Sequence, residues 1–212
     1  MKSATAANYR ARTQYDEKQS LKYQQRKPAK HRAEMRLIDR GFAQIPKSHR
    51  VFDAPCGGGR VTVHLARQGY AVTAADLSDS MIEIARENIA REGLTCPVEK
   101  QDLERLTLPD RAFDTVVCFR LFHHFPNVEI RRRVISELCR VADQFVVLSY
   151  FSPLSVTSLK RKITGREPHR YATSLAEVAG YFEACGFRLV KDFAQLPLLH
   201  TLHLAVFGRT SR

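Results

Sequence analysis

The chain has 212 residues, of which 44% are hydrophobic and 26% charged, a composition typical of globular proteins that excludes the disordered, collagen-like and membrane-embedded classes. Its length favours a single domain. The 34 Lys and Arg residues outnumber the 22 Asp and Glu residues, so the formal net charge is +12, and an excess of this size favours an anionic partner.

The positive charge lies outside the middle of the sequence. Residues 1–50 carry +9, residues 51–150 carry −2 and residues 151–212 carry +5. Residues 1–48 are polar and basic with a helical apolar stripe over Met35–Phe42, which predicts N-terminal helices that cap the site of a domain formed by residues 49–212. A second basic segment, residues 152–172, is predicted to be an insertion in that domain.

The cysteine, apolar and histidine patterns bear on the cellular compartment, on membrane spans and on metal sites. The five cysteines form no C-x-x-C pair, which favours a reducing compartment, and we expect a cytoplasmic protein. The longest apolar stretch, Phe145–Phe151, is far shorter than the ~20 residues of a membrane span, so no transmembrane segment is predicted. His123 and His124 are adjacent, and His200 and His203 would face opposite sides of a strand, so no metal site is predicted.

From Arg50 onward, apolar runs rich in Val, Phe and Ala alternate with segments of helical period, as in βαβ units. The predicted fold class is α/β, with a seven-stranded, mostly parallel sheet, helices on both faces and a C-terminal antiparallel hairpin. The predicted strands are Val51–Ala54, Ala71–Asp76, Val98–Gln101, Thr115–Phe119, Phe145–Tyr150, Phe187–Phe193 and Thr201–Phe207.

Three helices are predicted between these strands. Ser80 and Glu83 indicate a capping box for a helix that runs to about Glu92. The segment Val128–Val141 has one apolar stripe, and Arg131–Arg133 fall largely off it, which predicts solvated side chains. Ser174–Cys185 is the third predicted helix.

The strongest local pattern is a strand that ends in Asp53 and continues into a glycine-rich turn over residues 54–59. Glycines allow the backbone to approach a ligand while helix N–H groups point at it. Asp76 ends the second strand, where a carboxylate can accept both hydroxyls of a ribose. Asp102 ends the third, where it can accept from an adenine amine. Three acids at three successive strand ends predict a nucleoside site.

The identity of the nucleoside follows from what the turn lacks. A phosphate-binding P-loop requires Gly-Lys-Ser/Thr, whereas this turn continues Gly59-Arg60-Val61-Thr62. A dinucleotide fingerprint would need glycine where Thr62 stands and would not need Asp53. S-adenosylmethionine is the nucleoside cofactor that fits.

These residues resemble the class I S-adenosylmethionine-dependent methyltransferase family, in particular its quinone-biosynthesis and other small-molecule members. The family's first motif, roughly Asp-x-Gly-Cys-Gly-x-Gly, is matched by Asp53, Cys56, Gly57 and Gly59, with Pro55 in place of its first glycine. The resemblance implies a Rossmann-like fold and a small turn role for Cys56 rather than a nucleophilic one. The cofactor-binding residues that it implies are Arg36, Asp53, Ala54, Cys56, Gly57, Gly59, Asp76, Leu77, Met81, Asp102, Leu103 and Phe119.

The segment Phe113–Pro126 is similar to the family's fourth motif. It predicts apolar packing around the transferred methyl group by Phe119 and its neighbours, and it makes His124 the candidate catalytic base for an acceptor that carries a proton. The alternative for His124 is that it only holds the loop by hydrogen bonds to the backbone.

The leading hypothesis is an enzyme that transfers a methyl group from S-adenosylmethionine to an anionic small-molecule or lipid-like acceptor. A second hypothesis is an RNA methyltransferase that uses the basic segments as a footprint, although they contain no recognisable RNA-binding module. A third is a regulatory protein that binds S-adenosylmethionine without turnover.

Overall fold

The computed structural model describes residues 28–153, 171–196 and 201–210. The predicted N-terminal helices before residue 28 and the greater part of the predicted basic insertion therefore lie outside the described residues.

Seven strands form one sheet in the order β3-β2-β1-β4-β5-β7-β6. Strands β1 to β5 pair in parallel, and β7 pairs antiparallel with both β5 and β6. The predicted fold class, including the antiparallel hairpin at one edge, is confirmed. The strands are β1 (Arg50–Asp53), β2 (Ala71–Asp76), β3 (Val98–Lys100), β4 (Phe113–Cys118), β5 (Ala142–Phe151), β6 (Phe187–Ala194) and β7 (Leu202–Arg209).

Five α-helices and one short 3-10 helix cover this sheet within the described ranges. Apolar residues of α1 and α2 form one buried cluster with β1 and β7, and α4 and α5 contribute to the cluster on the other side, which contains Phe52, Val146 and Phe207. The helices are α1 (Pro28–Phe42), α2 (Arg60–Arg67), α3 (Asp79–Arg91), α4 (Val128–Val141) and α5 (Leu175–Glu183), and the 3-10 helix is Phe122–His124. No helix in these ranges is long and apolar enough to cross a membrane.

The predicted capping box of α3 is wrong. Ser78 caps the helix, because its side chain accepts a hydrogen bond from the Met81 backbone N–H, while Ser80 lies inside the first turn. Gly93 ends the segment with a positive φ of 65°, as the sequence predicts.

The predicted solvation of Arg131 is also wrong. Its side chain is 10% exposed and its guanidinium donates to Glu177 of α5 at 2.9 Å and to the Phe125 carbonyl at 3.2 Å. Arg132 is exposed, and Arg133 donates to Glu104 at 3.0 Å. Arg131 therefore joins α4 to α5 and to the loop after β4.

Candidate functional site

The turn after β1 brings backbone close to α3. Gly57 and Gly59 have positive φ values of 53° and 78°, and Gly59 is the N-cap residue of α2. A Cβ atom placed on Gly59 would lie 3.3 Å from both Cα and Cβ of Ala85. Both the left-handed backbone and the contact with α3 therefore require glycine at this position. Ala54 is buried here, and Pro55 follows a cis peptide bond.

Asp53 is fully buried at the end of β1. Its Oδ2 accepts a hydrogen bond from the Thr62 hydroxyl at 2.6 Å, whereas Oδ1 is buried and has no hydrogen-bond partner among the described residues. Burial raises the pKa of this carboxyl from 3.8 to about 7. Because buried polar atoms are nearly always hydrogen-bonded, this oxygen is a candidate acceptor for a donor from outside the chain.

Asp76 at the end of β2 faces the glycine turn. Its carboxylate accepts from the Gly57 backbone N–H at 2.9 Å and from the Ser78 N–H at 3.0 Å. Burial raises the pKa of Asp76 in spite of these two bonds, which favour the charged form. The predicted neighbours Leu77 and Met81 follow directly, half-buried and buried respectively. Asp76 therefore joins the turn after β1 to the turn after β2, and its role as the ribose-binding acid stays a prediction.

The turn after β3 is joined to the same edge of the sheet. The Gln101 backbone N–H donates to the Asp76 carbonyl at 3.0 Å, so Asp102 follows close to the end of β2. Asp102 is half-buried and accepts from the Glu104 N–H at 3.0 Å, while Leu103 is packed into the core.

The loop after β4 forms the other side of the site. Phe119 is buried, and Arg120 has a left-handed backbone with φ 68° and donates its N–H to the Ser149 hydroxyl at 2.6 Å. His124 is half-buried in the 3-10 helix, and its backbone N–H donates to the Leu121 carbonyl at 2.8 Å. His123 is fully buried and stacks on the Phe151 ring at 3.9 Å between centroids.

One charged cluster at the site was not predicted. Glu34 of α1 is fully buried and lies 3.1 Å from the Arg60 guanidinium and 3.6 Å from that of Arg120. It therefore connects α1 to the turns after β1 and β4. A sequence signal existed, because Glu34 is four residues from Ile38 and falls on the same apolar face of the helix. Arg36, which the sequence predicted at the site, lies on the exposed face of α1.

Cys56 is not poised to act as a nucleophile. Burial, together with the charges of Asp53 and Asp76, raises the pKa of its thiol well above the ordinary range. The structure thus brings Asp53, Gly57 and Asp76 together, with Cys56 as a small residue between them. Among the described residues, no group of three or more His, Cys, Asp or Glu side chains is arranged to hold a metal ion.

Comparison with known proteins finds similarity to methyltransferases over part of the chain. Residues 51–144 match the profile of a methyltransferase domain. A ubiquinone biosynthesis O-methyltransferase of Coxiella burnetii is 36% identical over 81 residues, which are 38% of this chain and 35% of that protein. A protein of the same description from Xylella fastidiosa is 38% identical over 79 residues, 37% of this chain and 32% of that protein. The matched part thus spans about a third of the curated relatives.

Solved structures share the fold over a greater length. The magnesium protoporphyrin IX methyltransferase from Synechocystis PCC 6803, with bound S-adenosylhomocysteine, superposes with a TM-score of 0.78 at 21% identity and covers 94% of this chain and 98% of its own. The [4+2]-cyclase SpnF superposes with a TM-score of 0.68 at 14% identity, covering 82% of this chain and 80% of its own. The fold is therefore shared with a protein described by a different reaction.

Proposed function

We propose that this chain, whose residues 51–144 match the profile of a methyltransferase domain, is a class I S-adenosylmethionine-dependent enzyme that transfers a methyl group from S-adenosylmethionine to an oxygen atom of a small-molecule acceptor. One observation carries the proposal: Asp76, Gly57 and the unsatisfied oxygen of Asp53 meet at the carboxyl edge of the sheet. The ubiquinone biosynthesis O-methyltransferases among the relatives support oxygen as the methylated atom.

The residues present fit this cofactor. Asp76 would hold the ribose, Asp102 the adenine, and the unsatisfied Oδ1 of Asp53 would accept from the ammonium group of the methionine end. Bound there, S-adenosylmethionine supplies a methyl group on a sulfonium sulfur, which is already a good leaving group. The chain is then required to align the acceptor and to exclude water.

The loop after β4 supplies the dry wall. Phe119, Phe122 and Phe125 are buried, and the Phe122 and Phe125 rings meet edge to face at 6.0 Å between centroids. An apolar wall of this kind favours a transfer in which the positive charge of the sulfonium is lost, because water no longer stabilises that charge. His124 stays a predicted base in this loop.

The acceptor in this proposal is anionic. The support is the charge distribution, since +9 in residues 1–50 and +5 in residues 151–212 flank a segment of −2. Methylation rates measured with an anionic and a neutral acceptor of the same size test this charge, because only the rate with the anion is expected to fall steeply as salt is added. We also place the protein in the cytoplasm, a location that its five free cysteines fit.

Two other functions predict different experimental results. An RNA methyltransferase would bind RNA with a steep salt dependence, and a binding protein without turnover would release no S-adenosylhomocysteine with any acceptor.

Calorimetry with S-adenosylhomocysteine tests the cofactor site. Asp76→Ala is expected to weaken binding by about 10- to 100-fold, the effect of losing hydrogen bonds to a charged group. Asp79→Ala is the matched control, since Asp79 is exposed three residues away and pairs with Lys100 at 2.6 Å. Failure of the wild-type protein to bind, or equal binding by Asp76→Ala, would refute the proposal.

A further inference from the structure

Three polar side chains from adjacent strands meet beyond the site described above. The Nδ1 atom of His203 on β7 lies 2.7 Å from Oδ2 of Asp192 on β6. The Tyr150 hydroxyl on β5 lies 3.4 Å from the same nitrogen. No cofactor-binding role uses this cluster, which we name the β5-β7-β6 cluster after its strands.

The cluster lies at the same edge of the sheet as the cofactor-binding acids. Tyr150 is the penultimate residue of β5, and its partner in the ladder, His203, is the second residue of β7. Because β7 runs antiparallel to β5, the start of β7 meets the carboxyl end of β5, which is parallel to β4. Strand spacing puts β7 roughly 10 Å from β4, on the side away from β1.

The geometry orients His203 as a base. The Asp192 carboxylate accepts the Nδ1–H, so the neutral ring keeps its lone pair on Nε2. About 17% of the His203 side chain is exposed, so that nitrogen is not sealed in the core. A histidine whose Nδ1–H is held by a carboxylate is the arrangement that catalytic histidines use to receive a proton.

Tyr150 does not compete for this role. It is 1% exposed, and burial together with the Asp192 charge raises the pKa of its phenol well above the ordinary range. Tyr150 therefore stays neutral and is not a base. The Nε2 lone pair of His203 is therefore the proton-accepting group that the β5-β7-β6 cluster offers to an acceptor.

We propose that His203 is the general base that removes the proton from a phenolic hydroxyl of the acceptor. This rests on the methyl-transfer function proposed above. The O–H proton passes to Nε2, the acceptor oxygen forms a bond to the methyl carbon as the carbon–sulfur bond breaks, and the positive charge of the sulfonium ends on the imidazolium. Asp192 stabilises that imidazolium across the 2.7 Å contact.

The basicity of histidine selects the acceptor class. A carboxylate acceptor is already ionised at neutral pH and needs no base, whereas a phenol, with a pKa of about 10, transfers its proton to an imidazole more readily than an aliphatic alcohol does. A hydroxyl on an aromatic ring lies between the two. The β5-β7-β6 cluster thus favours an acceptor whose methylated oxygen belongs to a phenol or catechol, with its negative charge on another group of the molecule.

A pair of catechols of different acidity tests this role. With catechol, His203→Asn is expected to lower kcat/KM roughly 100-fold, whereas with the more acidic 4-nitrocatechol the loss is expected to be below about tenfold, because an ionised acceptor needs no base. Equal losses on both would mean that His203 only positions the acceptor, and would overturn the proposal. The proposal would also be overturned if His124→Asn, and not His203→Asn, lowered kcat/KM far more with catechol than with 4-nitrocatechol. A wild-type protein that binds S-adenosylhomocysteine and methylates neither catechol would overturn it as well.

A second readout needs no turnover. In the complex with S-adenosylhomocysteine, bound 4-nitrocatechol is expected to show the absorption spectrum of its anion at a pH where the free compound is neutral, and His203→Asn is expected to restore the neutral spectrum. His64→Asn is the matched control, since His64 makes a 2.6 Å contact with Asp39 on the exposed side of α1 and α2. A neutral spectrum in the wild type, or the anion spectrum in His203→Asn, would overturn the proposal. Loss of S-adenosylhomocysteine binding by the wild type would instead refute the cofactor site.

Discussion

At the scale of single residues, Asp53 combines full burial with an unsatisfied oxygen. The folded, ligand-free protein favours the protonated form, since burial raises the pKa from 3.8 to about 7. The stability from this group is therefore fully present below pH 4 and is lost as the pH rises through 7. A ligand that brings a cationic donor reverses this preference, because it stabilises the carboxylate.

Asp53→Asn should remove this pH dependence. Between pH 4 and pH 8, the free energy of unfolding of the wild type is expected to fall by about 4 kcal/mol relative to that of Asp53→Asn. The difference between the two proteins isolates this group, because carboxyls with lowered pKa values such as Asp114 and Glu137 contribute equally to both. Urea unfolding at a series of pH values measures it. Parallel curves for the two proteins would contradict a raised pKa at Asp53.

Residue roles were predictable where a side chain has a fixed relation to its strand. Asp53 and Asp76 could be placed because each ends a strand and parallel strands end at one edge of the sheet. His203 could not, because its role depends on Asp192, which comes from another strand and is set by a register with an irregularity between Leu189 and Lys191.

At the scale of elements, the turn between β1 and α2 depends on a glycine that also touches α3. Gly59→Ala and Gly93→Ala both place a Cβ on a left-handed backbone, at φ values of 78° and 65°. Only the first also meets a neighbour, Ala85, at 3.3 Å, while the space around Gly93 is open.

Gly93→Ala is therefore expected to cost about 1 kcal/mol of stability and to leave S-adenosylhomocysteine affinity unchanged. Gly59→Ala is expected to cost more and to weaken binding at least about tenfold, because the shift separates α3 from the turn that carries Gly57. Thermal unfolding and calorimetry on the two variants measure both effects. Equal effects of the two substitutions would show that the contact with Ala85 carries no cost.

Element boundaries were predictable where periodicity is uninterrupted. The bounds of β2 and α4 agree with the sequence at both ends. In contrast, β5 begins at Ala142, directly after α4, and its first residues, Ala142 to Gln144, have no strand pattern. Arg131 was misjudged because its burial depends on Glu177, which lies on an element 46 residues away in sequence.

At the scale of the whole molecule, α1 is attached to the domain by apolar packing and by one buried carboxylate. Met35, Leu37 and Ile38 are buried against the sheet, while Glu34 holds the arginines of two different turns. Arg60 opens α2 and Arg120 follows β4, so one side chain ties the helix to both sides of the candidate site.

Removing the charge of Glu34 should therefore affect both stability and binding. Glu34→Gln leaves the guanidinium groups of Arg60 and Arg120, whose side chains are 16% and 10% exposed, without their shared anion. The expected loss is about 3 kcal/mol of unfolding free energy, the usual effect of breaking a buried ion pair from one side. Glu83→Gln, at an exposed position of α3, is the control and is expected to change stability by less than about 0.5 kcal/mol. S-adenosylhomocysteine affinity should fall in Glu34→Gln alone, because the two turns that α1 aligns also border the proposed cofactor site. A Glu34→Gln protein as stable as Glu83→Gln would mean that apolar packing holds α1 in place and that the carboxylate adds nothing to it.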